Sequence, residues 1–440
     1  MPRPATRVSH HVLAAAGVGV LAALISLARL WLGNHAALTE VVWAEDGVFP
    51  LCVEKAGFAT CLLDPFAGYL LFLPRLVAGF VALLPVESWA VATNLIAAVL
   101  AGLTSGLAFG TMRRFGLGVV SAGIVGLLPV VAPVVGFEAL NALGSSYMLL
   151  LYLSVLVLAF PARDTFERWL PILGVAALVL LTTLTIPTGG VLIGIMLVQA
   201  IRRSVPWRAT FVWLAVVALG LVAQWLTAVN AAKPRALLTS RETFDAWVNA
   251  VPDTLLTYWP GLHLSEYTLF EVFPVSPLGI TGAIVVLGIL LGGIVLIVRG
   301  GDERVGIGVL LLAGLAIGAI PAIIGGPNNR YFVVPLLLWG AAVAVSLDQI
   351  IRRSRLWVVA CVIAAIVVVW WPAIPASQFR STPAPAWSAE VARVEASCKA
   401  DPALTERIQF TPYWPPNWGD ALSEPTHPNL PCLVVWSWLG

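Results

Sequence analysis

Runs of about twenty apolar residues, each closed by a short polar break, recur along this chain to about position 375, and about twenty helical residues cross a hydrocarbon core about 30 Å thick. Backbone groups in that core find no water, so each run must satisfy its own hydrogen bonds as a helix, unless the chain closes a barrel. The runs are continuous and lack the alternation of barrel strands, which excludes the barrel. The pattern predicts an all-α polytopic membrane protein with about eleven spans, at about 11–33, 88–110, 117–137, 146–161, 169–186, 188–201, 209–230, 276–298, 305–324, 331–350 and 356–375. The first run, about Val12 to Leu32, exceeds a signal-peptide core and has no small-residue cleavage site behind it, so it is expected to remain as an anchor.

The polar breaks give an orientation. Arg3 and Arg7, Arg113 and Arg114, Arg163 and Arg168, Arg202, Arg203 and Arg208, Arg299 and Arg304, and Arg352, Arg353 and Arg355 each sit in such a break. Basic residues in short loops stay on the cytoplasmic side, so the amino end is expected inside and the tail outside a plasma membrane. Gly68 to Leu84 is apolar apart from Arg75, but about sixteen helical residues cover only about 24 Å. It is expected to lie on the outer surface or re-enter it, with Pro74 near its middle. The acids agree, since Glu40, Glu45, Asp46, Glu54, Asp64, Glu138 and Glu266 all fall outside. Residues 1–375 then form a transmembrane domain with large external loops at 34–87 and 231–275, and residues 376–440 form a small external domain.

Composition sharpens this picture. With 59% hydrophobic and 11% charged residues and a mean hydropathy of +0.92, a soluble globular class is excluded. Four of the five cysteines lie outside, where disulfides persist. Bonds Cys52–Cys61 and Cys398–Cys432 are expected, with Cys361 inside the last span. Sequence does not fix connectivity, and free thiols are the alternative. There is no Walker loop and no dinucleotide fingerprint, so ATP is not the fuel, and no nucleic-acid partner is expected. The tail is too small for much of a core and needs its disulfide. Its aromatics in Thr411-Pro412-Tyr413-Trp414-Pro415-Pro416-Asn417-Trp418 and Val434-Val435-Trp436-Ser437-Trp438 suit sugar stacking, an interfacial belt or a packing plug. Thr185-Ile186-Pro187-Thr188-Gly189-Gly190 reads as a tight outer turn or a broken helix lining a cavity.

Acids kept beside a bilayer in so uncharged a chain are candidates for chemistry. Glu45 and Asp46 stand in Trp43-Ala44-Glu45-Asp46-Gly47. In an extended loop their side chains point to opposite sides, so one acts as a base toward a hydroxyl and the other orients or binds. Which one is the base stays open, and an ordinary solvated acidic loop is the plain alternative. Arg330, in Pro327-Asn328-Asn329-Arg330-Tyr331-Phe332-Val333-Val334-Pro335, sits at an external span end where positive charge is disfavoured. Its guanidinium offers a planar fork to phosphate or carboxylate, against the alternative of snorkelling to headgroups. Arg75, Lys233 and Arg235 supply further anion-binding charge or headgroup contacts. Asp64, Tyr69, Glu138, Asn141, His263 and Glu266 are secondary candidates along the outer edge.

In the order of these features the chain resembles the GT-C superfamily of membrane glycosyltransferases. Glu45-Asp46 falls where that family carries an acidic pair in its first external loop. The segment after Asp64-Pro65 is similar to its juxtamembrane helices, and Arg330-Tyr331 with Pro335 is similar to the start of one of its late spans. The chain also resembles actinobacterial membrane proteins with a Trp-x-Glu-Asp-Gly loop followed by Gly-Tyr and Pro-Arg, here Gly68-Tyr69 and Pro74-Arg75. The pair is Glu-Asp where many GT-C members have Asp-Asp or Asp-Glu.

The resemblance implies an inverting transfer of sugar from a polyprenyl-phosphate donor to a cell-envelope glycan or glycoprotein acceptor. A carboxylate would act as base, and Arg330, Tyr331, Arg75, Lys233 or Arg235 would meet the phosphate. It leaves a divalent metal open, although no metal-ligand set is visible in the sequence. A transporter or flippase of a lipid-linked or small polar substrate, or an inactive GT-C-like assembly subunit, is the rival reading. A transporter predicts charge deep in several spans, whereas the ionisable residues here cluster at the edge.

Overall fold

Without water, apolar backbone becomes helical, and helices make up most of the described chain. The computed structural model describes residues 6–34, 39–66, 68–136, 140–162, 166–231, 277–325, 332–348, 386–409 and 428–438. The first half runs α1 (Thr6–Asn34), α2 (Ala44–Ala56), α3 (Phe58–Leu63), α4 (Phe72–Val81), α5 (Trp89–Phe115), α6 (Val119–Val131), α7 (Tyr147–Ala159) and α8 (Trp169–Thr185). Then come α9 (Val191–Ile201), α10 (Trp207–Val229), α11 (Pro277–Arg299), α12 (Asp302–Gly325) and α13 (Val333–Ser346). The tail adds α14 (Trp387–Ala400), β1 (Thr405–Arg407), β2 (Asn429–Pro431) and α15 (Cys432–Trp438).

Four stretches, His11–Trp31, Val86–Phe115, Trp207–Val229 and Asp302–Ile320, are long and apolar enough to cross a membrane by length and composition. The shorter apolar helices include α6, α7, α8, α9 and α13. The run expected at 356–375 lies outside the described residues. So do most of the 231–275 loop, Cys361 and the Thr411–Trp418 aromatics. Between α8 and α9, Pro187–Gly190 forms a single 3-10 turn, so this junction is a tight turn between two helices.

Position in the bundle follows from apolar distribution. A helix apolar on every side is buried or lipid-facing. Helix α7 is buried along nearly its whole length, and α13 likewise, so these two are central. Helices α1, α10 and α11 carry exposed Leu13, Leu24, Phe211, Leu219, Ile284 and Val298, the surface expected of helices in lipid. Lipid tails are as apolar as leucine and supply no hydrophobic drive between helices, so close packing and small residues must hold them together. The α1–α5 seam shows this: a Cβ on Gly102 would lie 2.6 Å from the Gly19 carbonyl oxygen, and one on Gly106 would lie 2.7 Å from that of Ala15.

The two ends of the bundle differ in chemistry. At one end, arginines close helix termini. Arg202 donates to the Ile297 and Gly300 carbonyls at 3.2 and 3.1 Å, Arg208 donates to the Glu167 carbonyl, and Asp348 accepts from the Gly118 amide at 2.9 Å. At the opposite end lie α2 to α4 and the tail. In the tail, β1 and β2 pair antiparallel with Glu406 opposite Leu430, and Cys398 is bonded to Cys432. Buried Glu390 takes Arg393 in a two-point contact at 2.9 and 3.0 Å. Hydrogen bonds to Glu390 hold the Arg393 guanidinium above its usual pKa against the opposing pull of burial, with Glu406 assisting.

Replacing Gly102 by leucine should push α1 off α5 and cost on the order of 3 kcal/mol or more, at the upper end of overpacking penalties. Thermal unfolding of the purified protein in detergent should register a clear fall, whereas Gly123→Leu, at a position with open space around it, should leave the midpoint nearly unmoved.

Candidate functional site

The first loop folds as three short helices fastened by one disulfide and one arginine. Cys52 on α2 and Cys61 on α3 are bonded, with Cα atoms 5.8 Å apart. Both thiol pairs expected from the sequence are thus formed. Helix α4 is ten residues long, about 15 Å and too short to cross the core. It begins at Phe72, so Pro74 stands in its first turn, where a missing amide is harmless, and not near the middle of a longer helix.

Arg75 is buried on α4. It donates to the Cys61 carbonyl, pairs with Asp64 at 3.4 Å, and lies 5.3 Å from the Phe49 ring centroid. Burial pulls its guanidinium down to about 10, with Asp64 opposing, so it stays cationic at neutral pH. Both terminal nitrogens of the guanidinium find partners within the loop. Arg75 is therefore a strut between α2, α3 and α4, where anion-binding charge or headgroup contact at the surface was expected.

After Asp64 the chain makes a small bridge between Phe66 and Tyr69, with Gly68 at φ 84°. Gln224 of α10 grips the segment that follows. Its Oε1 accepts from the Leu70 amide at 2.9 Å, while its Nε2 donates to the carbonyls of Leu70, Thr183 and Leu184 at 2.9 to 3.0 Å. Thr185 of α8 accepts from the Leu73 amide at 3.2 Å. One polar residue in an apolar run thus joins the first loop to two helices.

The acidic pair sits differently from the extended loop expected. Glu45 and Asp46 occupy the first turn of α2, where unpaired amides and the helix dipole favour negative charge. Their side chains therefore diverge by about 100° around a helix of 3.6 residues per turn, instead of pointing to opposite sides. Asp46 is buried. Its Oδ2 accepts from the Leu143 amide at 2.9 Å and its Oδ1 from the Gly144 amide at 2.6 Å. Glu45 is half-buried, and a Cβ on Gly144 would come within 3.0 Å of the Glu45 Cβ. A side chain at Gly144 would make the turn or Glu45 give by a few tenths of an ångström.

That turn has its own anchor. Asn141 adopts φ 51°, a left-handed conformation that asparagine tolerates. Its side chain accepts from the Ser26 hydroxyl at 2.7 Å and donates to the Ser26 carbonyl, tying the turn to α1. The 140–146 turn therefore joins α1 to the acidic pair on α2.

Of the other expected site residues, Asp64 and Tyr69 lie in the same loop as the acids. Glu138, Lys233, Arg235, His263, Glu266, Arg330 and Tyr331 lie outside the described residues. Among the described residues no three His, Cys, Asp or Glu side chains gather as a metal ion would require, and each Asp46 oxygen already accepts an amide. The described residues do not build a metal site. Sequence reasoning missed the Leu143 and Gly144 amides, Gln224, Glu40 and Trp387. Only Gln224 carried a signal, as a lone polar residue within an apolar run.

This arrangement of helices has counterparts among solved structures. Among the structures it resembles are those of the Archaeoglobus fulgidus oligosaccharyltransferase in its apo form, at a TM-score of 0.52 and 14% identity, and of the oligosaccharyltransferase AglB from the same archaeon in complex with an inhibitory peptide and a dolichol-phosphate, at 0.50 and 15%. Each match covers 88% of this chain and 58% of the other, so the chain spans less than two thirds of those proteins. At such identity the likeness is one of fold. No family model and no curated protein matches the chain.

Because Asp46 accepts two amides in a buried site, Asp46→Asn sets a donor against a donor and should cost about 1.5–3 kcal/mol, the range for hydrogen bonds to a charged group. Thermal unfolding checks this: the fall should exceed that of Glu45→Gln.

Proposed function

We propose that the chain is an inverting membrane glycosyltransferase. It moves a sugar from a polyprenyl-phosphate donor to a hydroxyl of a cell-envelope glycan or glycoprotein, on the outer face of a plasma membrane crossed about eleven times. The observation that carries this reading is the division of labour in the acidic pair. Asp46 fixes the 140–146 turn, and half-buried Glu45, one residue earlier in the same helical turn, lies against Gly144 of that turn and is assigned the chemistry.

In this mechanism Glu45 takes the proton of the acceptor hydroxyl while that oxygen forms a bond to the anomeric carbon. On the opposite face the bond between that carbon and the lipid-phosphate oxygen breaks, and the phosphate departs with the electron pair. Cations lower the barrier by meeting the growing charge, a role assigned to Arg330 with Tyr331 beside it, and with Lys233 and Arg235 as further candidates. Arg75, already paired with Asp64, is left out of this set. The fold shared with oligosaccharyltransferases, one of them solved with a dolichol-phosphate, supports a lipid-linked donor.

Turnover of a polyprenyl-phosphate sugar by the purified protein tests the reading. Glu45→Gln should lower kcat by about 10²–10⁴, the usual contribution of a general base, without loss of folded protein. Arg330→Ala should raise the donor KM by about tenfold to a hundredfold, as loss of a charge-assisted contact implies. Full transfer by Glu45→Gln would overturn the assignment, and passage of substrate across sealed vesicles without transfer would favour a transporter.

A further inference from the structure

The tail reaches back over the bundle and holds the first loop at both of its ends. Near the loop's start, the Trp387 amide donates to the Glu40 carbonyl at 3.1 Å. The Glu40 carboxylate accepts from the Ser388 amide and hydroxyl at 3.0 and 2.8 Å, capping the first turn of α14. Near the loop's far end, the Trp387 indole N–H donates to the Val86 carbonyl at 2.8 Å. Its ring stacks on Trp89 with centroids 6.2 Å apart, and Trp387 is only 2% exposed. One tail residue therefore staples the two ends of the 34–87 loop together.

The path from this staple to Glu45 is short and polar at each step. Beyond Glu40, the Val41 carbonyl accepts from Asn94 of α5 at 2.8 Å, and the Trp43 carbonyl accepts from the Asp46 amide at 2.7 Å. Val41, Val42 and Trp43 are buried. Residues 40–46 are thus fixed from three sides: by the tail at Glu40, by α5 at Val41, and by the 140–146 turn at Asp46.

We propose that Trp387 and Glu40 are positioning residues for the Glu45 carboxylate, and that the tail acts as a latch setting the geometry of the first loop. The catalytic part of this proposal rests on the transferase reading. A reacting group displaced by about 1 Å costs roughly a hundredfold in rate, so opening the latch should impair the chemical step more than donor binding.

The test compares full-length wild type with Trp387→Ala, Glu40→Ala and Glu40→Gln in two measurements, amide hydrogen exchange over residues 39–46 and steady-state transfer from a polyprenyl-phosphate sugar. Exchange reports local opening and needs no activity. Trp387→Ala and Glu40→Ala should accelerate it by about tenfold and lower kcat by about tenfold to a hundredfold, with the donor KM changed by less than about twofold. Glu40→Gln retains an acceptor for Ser388 and should restore most of the rate. Glu40→Ala removes only a carboxylate and decides the matter should Trp387→Ala fail to fold. Unchanged exchange overturns the latch, and faster exchange with an unchanged kcat overturns the positioning role. Wild-type protein without turnover overturns the transferase reading instead, and exchange alone then decides the latch.

Discussion

Where water does not reach, a backbone amide that leaves a helix must find its acceptor in the chain, and at the 140–146 turn that acceptor is Asp46. The rest of the loop end follows the same rule. Arg29 of α1 supplies donors to the Val130 and Ala132 carbonyls at 2.7 and 3.1 Å, where α6 ends. Gln224 does so for Leu70 and the end of α8. Irregular backbone is tolerated at this end because buried polar side chains, each taken from a different helix, make up for the hydrogen bonds that helix geometry no longer provides.

On the proposed reading, an acidic pair in a nearly uncharged chain is not redundant. A single carboxylate asked both to fix a turn and to accept a proton would lose its amide partners each time it was protonated. In the proposed mechanism, dividing the tasks between adjacent residues of one helical turn would keep the geometry constant while the neighbour changes charge. The Arg75–Asp64 pair and the Cys52–Cys61 bond join α2, α3 and α4 into one unit.

Local features of the chain were legible in the sequence, and long-range ones were not. Apolar runs became helices because the membrane leaves them no other choice, and cysteine placement anticipated both disulfides. The helix at Ala44–Ala56 was missed because Trp43-Ala44-Glu45-Asp46-Gly47 reads as an extended loop. In fact the acids suit a helix start, and the helix continues through Pro50. The partners of Asp46 lie 97 and 98 residues away and present only backbone, which no residue type announces. Gln224 was visible as an oddity, but its target, the Leu70 peptide, was not. The likeness to oligosaccharyltransferases follows the same division: it lies in the arrangement of helices and hardly at all in the residues, at 14–15% identity.

The contact between Trp387 and Val86 spans 301 positions of sequence, and this imposes an order on biogenesis. When the first loop emerges from the ribosome, the side chain that will hold its ends together has not been synthesised. Most of the helical bundle must be inserted before the tail arrives to close over it. A nascent chain therefore passes through a stage in which the acidic pair exists before the Trp387 contact can form.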